Sequence, residues 1–139
     1  MFKKISKEMT GFLKECPTAF HAVARIEREL EKSGYTRLKE PEEWQMKPGG
    51  KYYVTRNDSS IIAFRIGAKL SDYCFHITAS HSDHPTFKIK ENAQIEVKGK
   101  YTQLNTEGYG GMICSTWFDR PLSVAGRVIV KEKDHFITK

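Results

Sequence analysis

Residues 73–90, YCFHITASHSDHPTFKIK, decide the fold because they join a hydrophobic strand pattern to a cluster of polar side chains. Residues 73–79 place Tyr73, Phe75, Ile77 and Ala79 on one face, which predicts a buried strand. The next residues, 80–85, are polar, and Pro85 predicts the end of regular structure. Ligands of open α/β sheets bind at the ends of such strands, so a functional site is expected here.

The His81-x-Asp83 spacing suggests metal chemistry. Side chains two apart in an extended chain lie on the same side. A neutral imidazole binds Zn²⁺ through one nitrogen, and its other N–H needs an acceptor, usually a carboxylate. His81 is therefore a candidate metal ligand, Asp83 the candidate catalytic-site carboxylate that orients it, and His84 a further candidate. A catalytic zinc needs three protein ligands. The sequence offers four further candidate ligands but gives no sign that they lie close together: Glu91, Glu107, Asp119 and His135.

Other catalytic chemistries fit the sequence less well. Cys74 or Cys114 could serve as the nucleophile of a Cys-His pair, but Cys74 falls within the predicted hydrophobic strand, where an inert thiol is the default. Ser80, His81 and Asp83 are too close in sequence to form a Ser-His-Asp relay. The glycine-rich residues 108–111 predict a flexible turn, and they lack the lysine and the following amphipathic helix of a phosphate-binding loop.

The length of the chain is that of about one domain, and its composition does not indicate a membrane protein. The chain has 139 residues and a net charge of +6, without a dense basic block, so neither nucleic acid nor a membrane is an expected partner. Three cysteines without C-x-x-C spacing disfavour a disulfide framework and favour a reducing, cytoplasmic location. The first 15 residues lack the continuous apolar region of a signal peptide.

The remaining pattern predicts helices first and antiparallel strands last. Helices are expected over residues 5–15 and 19–33, the second with Thr18 as N-cap and Gly34 after its end. The predicted strands are a short one at 35–38, a hairpin of 51–56 and 60–66, alternating strands at 86–90, 93–97 and 102–105, and further candidates at 112–117 and 122–130. A final hairpin is expected to turn at Lys133-Asp134, with its return strand beginning at His135.

Three stretches resemble the aspartyl aminopeptidases, a family of dinuclear zinc aminopeptidases. Residues 78–85 (TASHSDHP) followed by 87–90 (FKIK) resemble the family's first metal-binding motif. Residues 16–23 (CPTAFHAV) are similar to its N-terminal helix signature. Residues 109–128 (YGGMICSTWFDRPLSVAGRV) are similar to its most distinctive run, in which TWFDR is highly specific. The stretches occur in the family's order and span nearly the whole chain.

The resemblance implies roles for single residues. His81 matches a zinc ligand, and Asp83 matches the aspartate that orients it. Asp119 matches a position in the distinctive run and is expected to have a structural role more than a metal role. His84 stands where the family commonly has a small residue. The family's other metal ligands and its glutamate base lie downstream of the matched stretches.

The resemblance also implies a fold and an activity. The expected class is α/β, with the N-terminal helices and mixed sheet of a zinc-exopeptidase domain in residues 1–91. Antiparallel strands in residues 92–139 would open an inserted β-rich association domain. The chain is expected to be the N-terminal part of a homo-oligomeric enzyme that holds two zinc ions in its active site. This enzyme would remove acidic N-terminal residues from peptides, and the chain is expected to be inactive alone. The alternative is a stand-alone, non-catalytic dimerising or anion-binding module.

Overall fold

The computed structural model describes residues 2–71 and 74–139. The chain folds into two compact units. One comprises Met1–Asp83 together with Ala125–Lys139, and the other comprises His84–Val124. The domain boundary expected between residues 91 and 92 stays a prediction.

Two helices begin the first unit. Helix α1 spans Phe2–Glu15 and helix α2 spans Ala19–Lys32. The predicted N-cap is present, because the Thr18 hydroxyl accepts from the His21 backbone N–H at 3.5 Å and lies 2.8 Å from its Nδ1. Gly34, at φ +79°, takes the left-handed conformation that ends helices such as α2.

A three-stranded mixed sheet follows the helices. Strand β1 (Thr36–Arg37) runs parallel to β2 (Lys51–Arg56), which pairs antiparallel with β3 (Ser60–Arg65). Asn57 and Asp58 both have positive φ, as the predicted tight hairpin turn requires. The core of this unit is small. Among the residues that the structure describes, Tyr53 and Val23 are fully buried, and the other buried apolar residues are Cys16, Ala22, Tyr52 and Val54.

A long hairpin dominates the second unit. Strands β4 (Thr86–Val97) and β5 (Tyr101–Tyr109) pair antiparallel, with an irregularity in register between Ile89 and Gln94. The two strands predicted at 86–90 and 93–97 are therefore one interrupted strand. A 3-10 helix at Cys114–Trp117 follows, and the Trp117 ring meets the Phe87 ring edge-on at 5.4 Å.

The predicted final hairpin is confirmed. Strand β6 (Ile129–Glu132) pairs with β7 (His135–Thr138), and Lys133 in the turn has φ +54°. In the described part of the chain, no helix is both long and apolar enough to cross a bilayer. Cys16, Cys74 and Cys114 are all free thiols.

The strand prediction for residues 73–79 is wrong over the residues that the structure describes. Tyr73 lies outside them. Residues 74–79 form no strand, and the side chains of Phe75 and Ile77 are 81% and 84% exposed. The apolar alternation indicates only that one face of the segment could pack against a hydrophobic surface. A buried strand also needs neighbouring strands and a covered face, which local sequence does not provide.

Two strand predictions after residue 110 are also wrong in extent. Residues 112–117 contain the 3-10 helix instead of a strand, and residues 122–128 are irregular, so that β6 begins only at Ile129. In contrast, Gly108 and Tyr109 belong to β5 and not to the flexible turn that the glycines predict. Short apolar runs between glycine and proline carry no period long enough to define an element.

Candidate metal-binding site

The polar residues 80–85 lie in an irregular segment between β3 and β4. Within the first unit, this segment is tied to the β2–β3 turn by one side chain. The Ser82 hydroxyl donates a hydrogen bond to the backbone carbonyl of Ser59 at 3.2 Å, and both residues are half-buried. This hydrogen bond thus connects the segment that carries His81 and Asp83, on either side of Ser82, to the sheet.

His81 and Asp83 are brought together as the spacing predicts. The Nδ1 atom of His81 lies 2.8 Å from the backbone carbonyl oxygen of Asp83 and 3.2 Å from its Oδ1 atom. Both oxygens are acceptors, so Nδ1 carries the proton in this arrangement. Nε2 is then the nitrogen with a lone pair for a metal, and the His81 side chain is 82% exposed.

His84 belongs to the second unit, and its ring has a backbone partner. Its Nδ1 atom lies 3.1 Å from the carbonyl oxygen of Pro85. His84 is exposed, as is Asp119, which directly follows the aromatic residues Trp117 and Phe118. The neighbouring Arg120 lies over the Trp117 ring, 5.6 Å from its centre.

The further acidic and histidine candidates do not complete a site. Glu91 and Glu107 line a shallow cleft at the irregularity of the β4–β5 hairpin, together with Lys88 and Lys90. His135 begins β7 in the first unit. Across residues 2–71 and 74–139, no group of three or more His, Cys, Asp or Glu side chains could hold a metal ion. The residues present therefore fit one ligand of a zinc site, and not a complete set.

The sequence offered Cys74 as a possible member of a Cys-His pair and disfavoured it, without identifying the histidine. The thiol sulfur of Cys74 lies 3.4 Å from Nε2 of His76, and Cys74 is exposed instead of buried in a strand. The signal was present in the sequence, because residues two apart in an extended segment share a side. The role of Ser82 was missed too, since no local pattern indicates a contact with Ser59.

Solved structures with the same fold are aminopeptidases. A chain of the cryo-EM complex of Ape4 and Nbr1 superposes with a TM-score of 0.92 at 42% identity, over 99% of this chain and 27% of that chain. The crystal structure of yeast aminopeptidase 1 (Ape1) gives a TM-score of 0.84 at 27% identity, over 100% of this chain and 33% of that chain. These likenesses define the fold as that of aminopeptidase chains, and the expected α/β class is confirmed.

The sequence identifies the family more narrowly. Residues 12–139 match the model of the aminopeptidase I zinc metalloproteases, family M18, and the chain belongs to this family. A probable M18 family aminopeptidase 2 of Clostridium novyi is 48% identical over 129 residues, which are 92% of this chain and 30% of that protein. A probable aspartyl aminopeptidase of Ricinus communis is 40% identical over 132 residues, which are 94% of this chain and 27% of that protein.

The resemblance noted from three sequence stretches is thereby confirmed. The family is one of aminopeptidases, hydrolases that its description names zinc metalloproteases. The chain spans about 30% of the length of the curated relatives that it matches.

Proposed function

We propose that this chain contributes one zinc ligand, His81, to the active site of an M18 aminopeptidase. The carrying observation is the contact of His81 Nδ1 with the carbonyl and carboxylate oxygens of Asp83, which directs the lone pair to Nε2. Ligating histidines typically donate their second N–H to a carboxylate or a backbone carbonyl, and His81 has both acceptors. Family membership makes zinc the metal to test.

The proposed reaction is hydrolysis of the first peptide bond of a peptide substrate. Zinc in such a site activates a water molecule and polarises the scissile carbonyl, and we propose two ions in the complete site. His81 would hold its ring in one tautomer and one orientation. Asp83 would accept the Nδ1 proton and so keep Nε2 unprotonated. We propose acidic N-terminal residues as the preferred substrates, which the name of the Ricinus communis relative supports.

We propose that the 139-residue chain alone is inactive. A catalytic zinc is held by three protein ligands, and the described residues offer no group of three. One histidine that is 82% exposed binds zinc weakly, because a single nitrogen replaces only one of the ion's water molecules. The remaining ligands and the glutamate base would come from the rest of the family's length.

We propose that the chain associates with further protein. Its accessible surface is 12232 Å², whereas a compact monomer of this length exposes about 7,400 Å², or about 8,700 Å² when the two units are counted separately. Many large apolar side chains contribute to the excess, among them Phe118, Val124 and Phe136. One similar structure is a dodecamer of mApe1. We propose that the chain forms homo-oligomers through residues 92–139 and that it is located in the cytoplasm.

The same exposed surface favours a second candidate, a stand-alone dimerising module without catalysis. The two candidates differ in zinc binding. If the chain is a dimerising module only, His81 has no reason to bind zinc in preference to the other four histidines of the sequence.

The test combines metal binding with activity on one sample. Zn²⁺ is added to the purified chain while the ring resonances of all histidines are followed by NMR, and aminopeptidase activity is read on aspartyl, glutamyl and leucyl substrates. We expect weak zinc binding at His81, its loss in His81→Ala, its retention in His84→Ala, and no turnover. Zinc binding at His81 that is no stronger than at His84 would contradict the ligand assignment. Turnover that disappears in His81→Ala would contradict the inactivity of the chain but support the ligand assignment.

A further inference from the structure

The contact between Ser82 and Ser59 is the starting point. The His81–Asp83 hydrogen bond joins residues two apart, so it orients the ring relative to its own segment and not relative to the fold. The bond from the Ser82 hydroxyl to the Ser59 carbonyl spans 23 residues and joins the segment to the sheet. It lies between the two functional side chains in sequence, and both of its residues are half-buried.

The acceptor side of this bond is itself fixed in place. Nη1 of Arg127 donates to the backbone carbonyl of Asn57 at 2.8 Å, in the same turn. The Arg127 guanidinium also lies over the ring of Phe20 at 4.3 Å, near the start of helix α2. Nη2 of Arg37 lies 3.7 Å from the Asp58 carboxylate. The β2–β3 turn is therefore held from a helix, from β1 and from the segment before β6.

We propose that Ser82 is a positioning residue for the zinc ligand. Its hydroxyl, held by the carbonyl of Ser59, restrains the backbone between His81 and Asp83, so that Nδ1 of His81 stays against the two oxygens of Asp83 and the lone pair stays on Nε2. The β2–β3 turn is the platform for the site. This inference rests on the proposed function, since it assigns Ser82 a role toward the same histidine.

The test separates positioning from simple stabilisation. The variants are Ser82→Ala, which removes the hydroxyl, and Ser82→Thr, which keeps it. Ser80→Ala is the matched control, because Ser80 lies in the same segment and is exposed. Two quantities are read on the 139-residue chain: the tautomer ratio of the neutral His81 ring from ¹⁵N ring NMR, and the affinity of Zn²⁺ at His81 from the same resonances. His21, His76 and His135 are internal references.

We expect Ser82→Ala to lower both the Nδ1–H to Nε2–H ratio of His81 and its Zn²⁺ affinity by about threefold to tenfold, the range for losing one hydrogen bond. Ser82→Thr and Ser80→Ala should stay within about twofold of the parent chain, because each keeps the Ser82-position hydroxyl. Asp83→Asn should lower the affinity by about tenfold or more, as for other outer partners of metal ligands.

A merely structural Ser82 would give a different result. Ser82→Ala would then lower the unfolding midpoint and leave the His81 tautomer ratio unchanged, which would overturn the proposal. If His81 of the parent chain binds no zinc, the proposed function fails, and the tautomer ratio alone still decides the role of Ser82. If the alanine variant does not fold, Ser82→Cys provides the same comparison with a weaker donor of similar size.

Discussion

Removing the hydroxyl of Tyr53 should change the pH dependence of stability in a way that tests how this small core is held together. Tyr53 is fully buried in β2, and its hydroxyl donates a hydrogen bond to Oε1 of Glu31 at 2.8 Å. Burial raises the pKa of Tyr53 from 10.0 to about 12, and the hydrogen bond to Glu31 adds to the shift. Tyr53→Phe removes the titrating group and keeps the ring.

The expected magnitude has two parts. Below pH 10 the parent chain keeps its hydrogen bond, and the variant should be less stable by about 1 kcal/mol, since the exposed Glu31 can turn to water. Because the pKa of Tyr53 is higher in the folded state, the hydroxyl's stabilisation is complete below pH 10 and is lost as the pH rises through 12. A shift of about two pKa units corresponds to roughly 2–3 kcal/mol. The variant should therefore become the more stable chain near pH 12.

The assay is urea unfolding at several pH values from 8 to 12, followed by circular dichroism for both chains. Glu31→Gln is the matched control, because its amide oxygen still accepts the hydrogen bond without a charge. Burial remains in this control, so its stability should still decline with pH, but less than that of the parent. A free-energy difference between parent and Tyr53→Phe that stays constant from pH 8 to 12 would refute the reasoning.

Three further outcomes are expected. Thr18→Ala should lower the free energy of unfolding by about 1 kcal/mol through loss of the α2 cap, and Thr18→Ser should restore it, as measured by urea unfolding. Burial raises the pKa of Glu27 above 4.5, so the parent should lose stability relative to Glu27→Gln as the pH rises through and above 4.5. The measurement is urea unfolding of both chains at pH 4 and pH 7. A free energy of unfolding of the parent that increases relative to the variant between these pH values would contradict the expectation. Replacing the exposed Met9 and Leu13 of α1 by serine should weaken self-association in sedimentation, whereas Lys7→Ser should not.

Local patterns were sufficient wherever the signal lies within one element. The N-cap and the terminal glycine fix the second helix to within one residue of its prediction, since both act on neighbouring backbone groups. The turn at Asn57-Asp58 was predicted for the same reason, because asparagine and aspartate tolerate positive φ. In the turn at Lys133-Asp134 the residue with positive φ is Lys133, a residue type that does not favour this conformation. Helix α1 begins at Phe2, three residues before its predicted start, because the apolar period that predicts a helix defines its interior better than its ends.

Patterns failed where an element depends on distant partners. Residues 74–79 have the composition of a central strand, yet Ile77 is 84% exposed. Strand propensity measures how well side chains fit a packed, pleated surface, so the same composition takes another conformation where that surface is not supplied. The 3-10 helix at Cys114–Trp117 also involves a distant partner, which in this case is present. Trp117 packs edge-on against Phe87, a contact between residues 30 apart that no short window contains.

The site follows the same division. The pairing of His81 with Asp83 was predicted because side chains two apart in an extended chain lie on the same side, and the structure places Nδ1 and Oδ1 3.2 Å apart. How firmly this pair is held depends, in our proposal, on Ser82, Ser59 and the arginine that fixes the turn. That arginine, Arg127, lies 70 residues from the carbonyl that it binds. A candidate metal ligand can thus be found from local sequence, whereas the contacts that hold it in place are distributed over the fold, which is why the tautomer of His81 should respond to Ser82 and not to its neighbour Ser80.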